Sequence, residues 1–195
     1  MEAASSLVLA TRNPHKLREF GRLLEPAQVS LAPLPEDVEL PPETGETFAE
    51  NAIVKARAAA AATGRPAIAD DSGIEAEALG GGPGVRSARY AGESATDEEN
   101  LAKLLREAPA GSRLRYVCAL AYVDPVTGQE EIFVGYCRGR LASSPRGTGG
   151  FGYDPAFLPD GDRQNRTMAE LADPEKDAIS HRGRAVLALI DSLRR

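Results

Sequence analysis

The sequence predicts an α/β fold in which strands of mixed direction alternate with helices. Short apolar runs are bounded by turn residues, and helix start signals follow several of them directly. Two longer strand-like runs, residues 114–123 and 131–138, are joined by the turn Asp124-Pro125-Val126-Thr127-Gly128, which indicates an antiparallel hairpin. A purely parallel, doubly wound sheet is therefore not required.

The opening of the chain reads as a strand, a tight turn and a helix. The apolar run 6–10 ends at Thr11-Arg12-Asn13, and Asn13 is a preferred N-cap with Pro14 at the first helical position. A proline-rich connection follows over residues 33–42. Thr47 and Glu50 then form a capping box, which predicts a helix to about Thr63, where Gly64 ends it.

The next elements are a short strand and a capped helix. Residues 67–69 read as a short buried strand that leads directly into Asp70-Asp71-Ser72-Gly73, and residues 80–84 (GGGPG) must form a loop. A second capping box, Thr96 to Glu99, begins another helix. After the hairpin, helix signals occur at Asp173-Pro174 and at Ser180, and the last apolar residues have helical spacing.

Length and charge limit the classes of protein. The 195 residues suffice for one domain, or for one domain with two lobes. A net charge of −6 argues against broad nucleic-acid binding, which needs excess positive charge, although a local basic pocket for a small anion is compatible with it. Only four of the 23 basic residues are lysines, so each lysine is a candidate for a specific role: Lys16, Lys55, Lys103 and Lys176.

Cysteine usage and hydropathy indicate a cytoplasmic protein. Cys118 and Cys137 each lie in a strand-like run, are too few for a disulfide scaffold and lack metal-ligand spacing, so we expect buried, unreactive thiols. No apolar stretch approaches the ~20 residues that span a bilayer. Residues 1–10 contain no basic residue before their apolar segment, which argues against a signal peptide.

Two polar clusters have the chemistry of a phosphate and metal site. Residues 11–16 place a helix N-terminus and Lys16 directly after a strand, and both favour anions. Asp70 and Asp71 are adjacent carboxylates that repel each other unless a cation lies nearby, and such oxygen ligands suit magnesium. Glu43 or Glu50 could add a carboxylate. A simple helix cap and a solvated acidic turn are the structural alternatives.

Two further clusters lie in the second half of the chain. Residues 149–154 (GGFGYD) combine glycines, which allow close backbone approach, with two aromatic rings, in a chain that is only 5% aromatic. Lys176, His181 and Arg182 supply donors for phosphate or for base carbonyl groups. A bulged strand and a solvated cap are the alternatives. No second Asp-Ser/Thr-Gly and no Gly-x-Ser-x-Gly is present, which excludes aspartic protease and serine hydrolase readings of Ser72.

Taken in order, these stretches resemble the inosine/xanthosine triphosphate pyrophosphatase family. The matching segments span nearly the whole chain: residues 9–16 (LATRNPHK), 47–52 (TFAENA) with 55–56, 69–73 (ADDSG), 78–85 (ALGGGPGV) with 87–92 (SARYAG), 149–155 (GGFGYDP) and 179–182 (ISHR). The resemblance implies one two-lobed domain over residues 1–195, with an elongated mixed sheet flanked by helices and a nucleotide cleft between the lobes. It also implies a homodimer that converts a purine nucleoside triphosphate to monophosphate and pyrophosphate with Mg²⁺.

The resemblance also assigns roles to individual residues. Asp71 would be the general base and a magnesium ligand, with Glu43 as the tentative second ligand. The residues implied to bind substrate are Thr11, Arg12, Asn13, Pro14, His15, Lys16, Ser72, Phe151, Gly152, Tyr153, Asp154, Lys176, His181 and Arg182.

The sequence departs from the family pattern at two places. Many relatives carry two consecutive glutamates before Thr44-Gly45, whereas here Pro42 precedes a lone Glu43, so Asp70 and Glu50 stay open as metal ligands. Asp177 follows Lys176 where asparagine is common, and we expect little effect. Two other functions are compatible with these residues. One is a pyrophosphatase for pyrimidine or modified triphosphates, and the other is a nucleotide-binding regulator without turnover.

Overall fold

The computed structural model describes residues 6–195. Within these residues the chain forms six strands and five α-helices, with short 3₁₀ turns between them. The strands are β1 (Ser6–Leu9), β2 (Ser30–Pro33), β3 (Ala67–Ala76), β4 (Arg113–Val123), β5 (Glu130–Leu141) and β6 (Phe157–Pro159). The helices are α1 (Pro14–Leu24), α2 (Phe48–Thr63), α3 (Asp97–Glu107), α4 (Asp173–Ile179) and α5 (His181–Leu193).

The strands form one mixed sheet in the order β2-β1-β3-β4-β5-β6. β1 pairs in parallel with both β2 and β3, while β5 pairs with β6 in antiparallel register. Backbone hydrogen bonds from Asp124 to Gln129 and from Leu141 to Ser112 are those of an antiparallel β4–β5 pair. The predicted α/β fold with strands of mixed direction is confirmed, and so is the hairpin.

The predicted helix starts are confirmed by the caps that the side chains form. Asn13 caps α1 through its side chain, with Pro14 as the first helical residue. Thr47 and Glu50 form a reciprocal capping box at α2, and Thr96 and Glu99 form another at α3. These caps satisfy backbone N–H groups that a helix leaves without partners, which is why short local motifs identified the helix boundaries.

The chain divides into two compact units. Unit 1 comprises residues 1–71, 118–135 and 182–195, and unit 2 comprises residues 72–117 and 136–181. In unit 1, apolar side chains of β1, β4, α1 and α5 form a buried cluster that includes Leu9, Phe20, Leu120 and Leu189. The alanines of α2 that are spaced for one helix face are also buried.

Unit 2 has its own apolar core. Its buried apolar cluster includes Ile74 of β3, Leu104 of α3, Tyr116 of β4 and Phe157 of β6. The prediction that residues 1–195 form a single two-lobed domain stays a prediction.

One predicted element boundary is wrong. The strand predicted over residues 67–69 does not end before Asp70, because β3 spans ten residues, from Ala67 to Ala76, and includes the whole acidic stretch. Asp70 and Asp71 are both buried, at 1% and 6% exposure. Charged residues normally indicate a solvated turn, but here buried cations compensate the carboxylates and allow them to lie inside a strand.

Cys118 and Cys137 are both buried free thiols, as predicted. Across residues 6–195, no helix has the length and apolar character needed to cross a membrane. The prediction that residues 1–10 carry no signal peptide concerns a segment whose first five residues lie outside the described part of the chain.

Candidate active site

The turn between β1 and α1 is shaped by its own side chains. Oδ1 of Asn13 accepts hydrogen bonds from the backbone N–H groups of His15 and Lys16, at 2.8 and 3.3 Å. Oγ1 of Thr11 accepts from the N–H of Asn13 at 3.1 Å. Because Asn13 engages two N–H groups of the first helical turn, the attraction of this helix end for anions depends chiefly on the helix dipole and on Lys16.

Asp70 lies at the centre of a buried group of charges in unit 1. Its Oδ2 lies 3.0 Å from Nζ of Lys16 and 3.5 Å from Nε of Arg182. Arg182 in turn donates from Nη1 to Oε2 of Glu19 at 2.8 Å. Burial by itself would raise the pKa of Asp70, but the charges of Lys16, Arg182 and Lys55 outweigh burial and hold that pKa well below its usual value.

The neighbouring carboxylate, Asp71, has different surroundings. Its Oδ2 accepts a 2.9 Å hydrogen bond from Nδ2 of Asn51, which orients the group. Burial and the negative charge of Glu43 raise the pKa of Asp71, and these two effects outweigh the opposing influence of Lys55, Asn51 and Lys16. Two adjacent residues of one strand therefore carry carboxyl groups whose pKa values are displaced in opposite directions.

Lys55 connects the carboxylates of this cluster. Its Nζ donates to Oε1 of Glu43 at 2.5 Å and to the backbone carbonyl of Asp70 at 2.7 Å. Although burial lowers the pKa of this ammonium group, the charges of Asp70, Glu43 and Asp71 raise it by more. Lys55 therefore places a positive charge among three carboxylates.

Three predicted residues of unit 1, Glu50, Arg12 and His15, have partners within the protein. Oε2 of Glu50 accepts from the N–H groups of Glu46 and Thr47, so this carboxylate caps α2. The guanidinium of Arg12 donates to backbone carbonyls of residues 34–38. His15 contacts Arg18 through Nδ1 at 2.9 Å.

In unit 2 the predicted aromatic and glycine cluster is organised around Asp154. Its Oδ2 accepts from Nζ of Lys176 at 2.7 Å and from the N–H of Phe151 at 3.0 Å. Its Oδ1 accepts from the hydroxyl of Tyr116 at 3.0 Å. Three donors thus satisfy a carboxylate that is only 4% exposed, so Asp154 holds the surrounding residues in place.

The remaining predicted residues of unit 2 differ in how their side chains are engaged. The Phe151 ring is half-buried, with Nζ of Lys176 5.5 Å from its centroid. The Tyr153 ring is buried and its hydroxyl donates to the carbonyl of Ser87 at 2.7 Å. His181 stacks on Tyr116 with the ring centroids 4.6 Å apart.

The glycines of this loop adopt conformations that other residues avoid. Gly150 and Gly152 have φ values of 69° and 61°. A Cβ atom on Gly150 would also collide with the carboxylate of Asp154. Close backbone approach at Gly150 is thus required by the neighbouring Asp154 side chain, and the segment 146–153 is irregular, with bends and one turn, rather than a bulged strand.

The predicted site residues thus fall into two groups, one in each unit. Unit 1 contains the turn 11–16, Glu43, Asp71 and Arg182, whereas unit 2 contains Ser72, residues 151–154, Lys176 and His181. Sequence reasoning did not single out Asn51, Glu19 or Tyr116 as members of these clusters. Lys55 had two usable signals, since it is one of only four lysines and lies in a segment that matches the family pattern.

A mixed-sheet α/β fold with a lysine at a helix N-terminus and an oriented, buried carboxylate defines a candidate phosphate-handling enzyme. The family profile that describes the Ham1 family matches residues 7–192. The chain belongs to the Ham1 family.

Similar proteins support this membership over nearly the whole chain. The dITP/XTP pyrophosphatase of Symbiobacterium thermophilum is 52% identical over 191 residues, covering 96% of this chain and 94% of that protein. The protein of the same name from Shigella flexneri is 47% identical, with 96% and 98% covered. The structure of a HAM1 protein from Coxiella burnetii superposes with a TM-score of 0.86 at 42% identity, covering 97% of this chain and 98% of that one.

Proposed function

We propose that this protein hydrolyses deaminated purine nucleoside triphosphates (ITP, dITP and XTP) to the monophosphate and pyrophosphate. The names of its relatives support the reaction and the substrate class. The observation that carries the proposal is the carboxylate of Asp71, which is buried, oriented by Asn51 and has a raised pKa. Such a group is suited to accept a proton from water.

We propose Mg²⁺ as the metal, with Asp71 and Glu43 as its protein ligands. Their mutual repulsion, which raises the pKa of Asp71, is the electrostatic situation that a bound cation relieves. Among residues 6–195 no group of three or more acidic, histidine or cysteine side chains is arranged for a metal. That is compatible with magnesium, which is commonly held by one or two carboxylates together with substrate phosphates.

Asp70 and Glu50 are the weaker choices for a metal ligand. Lys16, Arg182 and Lys55 already neutralise Asp70, and Glu50 caps α2. When bound, the ion would neutralise charge that develops on the phosphates and lower the pKa of water.

The remaining chemistry belongs to residues of this chain. The oxygen of water attacks the α-phosphorus. The bond between the α-phosphorus and the oxygen that bridges it to the β-phosphorus breaks, and pyrophosphate leaves with the bonding electron pair. Asp71 orients the water and accepts its proton, while Lys16 and the N-terminus of α1 attract the negative charge that grows on the phosphate oxygens. Asp70 holds Lys16 in place at 3.0 Å.

In unit 2 we assign the nucleoside to the loop around Phe151 and to Lys176 and His181. The Phe151 ring offers a half-buried face on which a base could stack, and Asp154 fixes the backbone N–H of that residue. His181 and its chain neighbour Arg182, which is grouped with unit 1, supply donors that suit the carbonyl group at position 6 of hypoxanthine and xanthine. We also propose that the protein is cytoplasmic and that it forms a homodimer. Light scattering after size-exclusion chromatography would test the oligomeric state.

A nucleotide panel assay for pyrophosphate release tests this function. ITP, dITP and XTP should be cleaved with Mg²⁺ present and not after chelation by EDTA. Preferential cleavage of pyrimidine triphosphates would instead support the alternative substrate class. Nucleotide binding without any pyrophosphate release would support the alternative of a regulator.

A further inference from the structure

Arg12 lies in the β1–α1 turn but directs its guanidinium toward the protein's own backbone. Nη1 donates to the carbonyl of Leu34 at 2.8 Å. Nη2 donates to the carbonyls of Pro35, Glu36 and Val38 at 2.6, 3.2 and 3.0 Å. Both terminal nitrogens are therefore engaged by four carbonyl groups from a five-residue segment.

The segment that Arg12 holds belongs to a connection without regular structure. Residues 34–47 join β2 to α2 and form neither helix nor strand. Glu43 lies in this connection, so its backbone is not fixed by a helix or strand of its own. Its position depends on the direct contact of its carboxylate with Lys55 and on the attachments on either side of it.

The other end of this connection is held by Asn51. Its Oδ1 accepts from the N–H of Gly45 at 2.7 Å, and its Nδ2 donates to Asp71. Glu43 therefore lies between two attachments: Arg12 fixes residues 34–38, and Asn51 fixes Gly45 together with Asp71. Lys55 then binds the Glu43 carboxylate directly.

We propose that Arg12 is a positioning residue for the metal site, which holds the 34–38 segment so that Glu43 can act together with Asp71. The inference rests on the proposed function, and it reassigns Arg12 from substrate binding to support of a metal ligand. A guanidinium is suited to this task because its planar donors can meet several carbonyls at once, whereas an ammonium group is a compact point charge. Residues that orient metal ligands typically change metal affinity by ~10–100-fold when replaced.

The experiment measures metal binding separately from turnover. Mn²⁺, an oxygen-preferring probe, is titrated into the nucleotide-free full chain, and the free ion is followed by its electron paramagnetic resonance signal. The proteins are wild type, Arg12→Ala, Arg12→Lys and the control Arg65→Ala. Arg65 also joins two segments of unit 1, through one hydrogen bond to Ser6 at 2.9 Å.

Arg12→Ala should weaken Mn²⁺ binding by about tenfold and raise the half-saturating Mg²⁺ concentration for turnover by a similar factor. The KM for ITP at saturating metal should stay within about twofold, since uniform substrate binding is not removed. Arg12→Lys should fall between wild type and Arg12→Ala, and Arg65→Ala should match wild type. Thermal unfolding identifies any variant that is not folded at the assay temperature, in which case Arg12→Lys decides.

Two results would overturn the proposal, and a third would separate it from the proposed function. Unchanged Mn²⁺ affinity with a raised KM for ITP would mean that Arg12 contacts the triphosphate. Unchanged metal affinity and unchanged kinetics would reduce Arg12 to a structural staple. If wild type binds Mn²⁺ and Arg12→Ala does so more weakly, but neither releases pyrophosphate, the proposed function fails while the positioning role stands.

Discussion

The side chain of Asn51 joins Asp71 to the backbone of Gly45. Nδ2 donates to Oδ2 of Asp71 at 2.9 Å, and Oδ1 accepts from the N–H of Gly45 at 2.7 Å. Asn51 is 2% exposed, so both contacts form out of water. An amide can donate and accept at the same time, which neither aspartate nor alanine reproduces here.

Replacing Asn51 by alanine should therefore lower turnover as well as stability. We expect the free energy of unfolding to fall by ~1–3 kcal/mol, since a buried donor and acceptor lose their partners. We expect kcat to fall by ~10–100-fold because Asp71 loses its orienting hydrogen bond. Chemical denaturation and steady-state kinetics with ITP measure the two effects.

Asn100 offers a matched control in unit 2. It is 1% exposed, accepts from the N–H of Ala91 at 2.7 Å and donates to the carbonyl of Ala88 at 3.1 Å. Asn100→Ala should lose similar stability and keep wild-type kcat. Equal kinetic losses in the two variants would show that Asn51 has only a structural role.

Asp71→Asn should abolish turnover while nucleotide binding survives. Loss of a general base alone removes ~10²–10⁴-fold in rate, whereas affinity should stay within about tenfold because other residues hold the nucleotide. Quenched pyrophosphate assays and equilibrium dialysis measure the two quantities. Asp191→Asn, at an exposed position on α5, is the control that should behave as wild type. A rate above about a tenth of wild type in Asp71→Asn would refute the assignment of the base.

Lys16→Met should raise KM and lower kcat together. In the proposed mechanism the lysine charge faces phosphate oxygens in the ground state and in the transition state, so both parameters should depend on it. The variant should also be less stable, since Asp70 is fully buried and would lose a cation 3.0 Å away. Lys103→Met is the control, because Lys103 binds the carbonyl of Tyr90 in unit 2. Changes below about twofold in both parameters would limit Lys16 to its structural contact with Asp70.

Base selectivity should favour inosine, deoxyinosine and xanthosine triphosphates over ATP and GTP by at least ~100-fold in kcat/KM. Hydrogen-bond donors that are fixed in a pocket can pair with the carbonyl oxygen at position 6 of these bases. Adenine carries an amino group at that position, which is itself a donor, so no hydrogen bond forms and the buried donors lose their partner. Guanine keeps that carbonyl, so its exclusion requires a second element at position 2. Comparable efficiency with ATP would contradict the assigned substrate class.

Arg182→Ala should erode this selectivity as well as the absolute rate. Because Arg182 is buried between Glu19 and Asp70, the substitution also leaves two carboxylates short of a cation, and such losses cost ~3–5 kcal/mol. The informative quantity is therefore the ITP-to-ATP ratio, measured at a temperature at which the variant is folded. An unchanged ratio would confine Arg182 to holding Asp70.

Neither cysteine should react in the native protein. Burial raises the pKa of the Cys118 thiol strongly, so the reactive thiolate is scarce, and Cys137 is 2% exposed. A thiol reagent such as DTNB should label both residues only in denaturant. Rapid labelling without denaturant would show that the strands carrying them open locally.

Local signals in the sequence were sufficient to predict where these helices begin. Asn13 with Pro14, and the capping boxes at Thr47 and Thr96, marked helix starts that the structure confirms. Caps are formed by residues within four positions of each other, so no knowledge of the rest of the fold is needed. The hairpin was equally readable because its turn residues are contiguous with its strands.

The acidic stretch of β3 required the tertiary structure. In the sequence, Asp70 and Asp71 are compatible with a strand end or with a solvated turn. They are buried within β3 because Lys16, Arg182 and Lys55, from three distant segments, compensate their charges. The same holds for the pairing of Asn51 with Asp71 and for the four carbonyls that surround the guanidinium of Arg12. The residue types in the sequence were enough to identify which side chains have the chemistry to bind phosphate or a metal ion. Which of them face a ligand and which hold the protein together depended on long-range contacts, since a charge can be buried only where its partners converge.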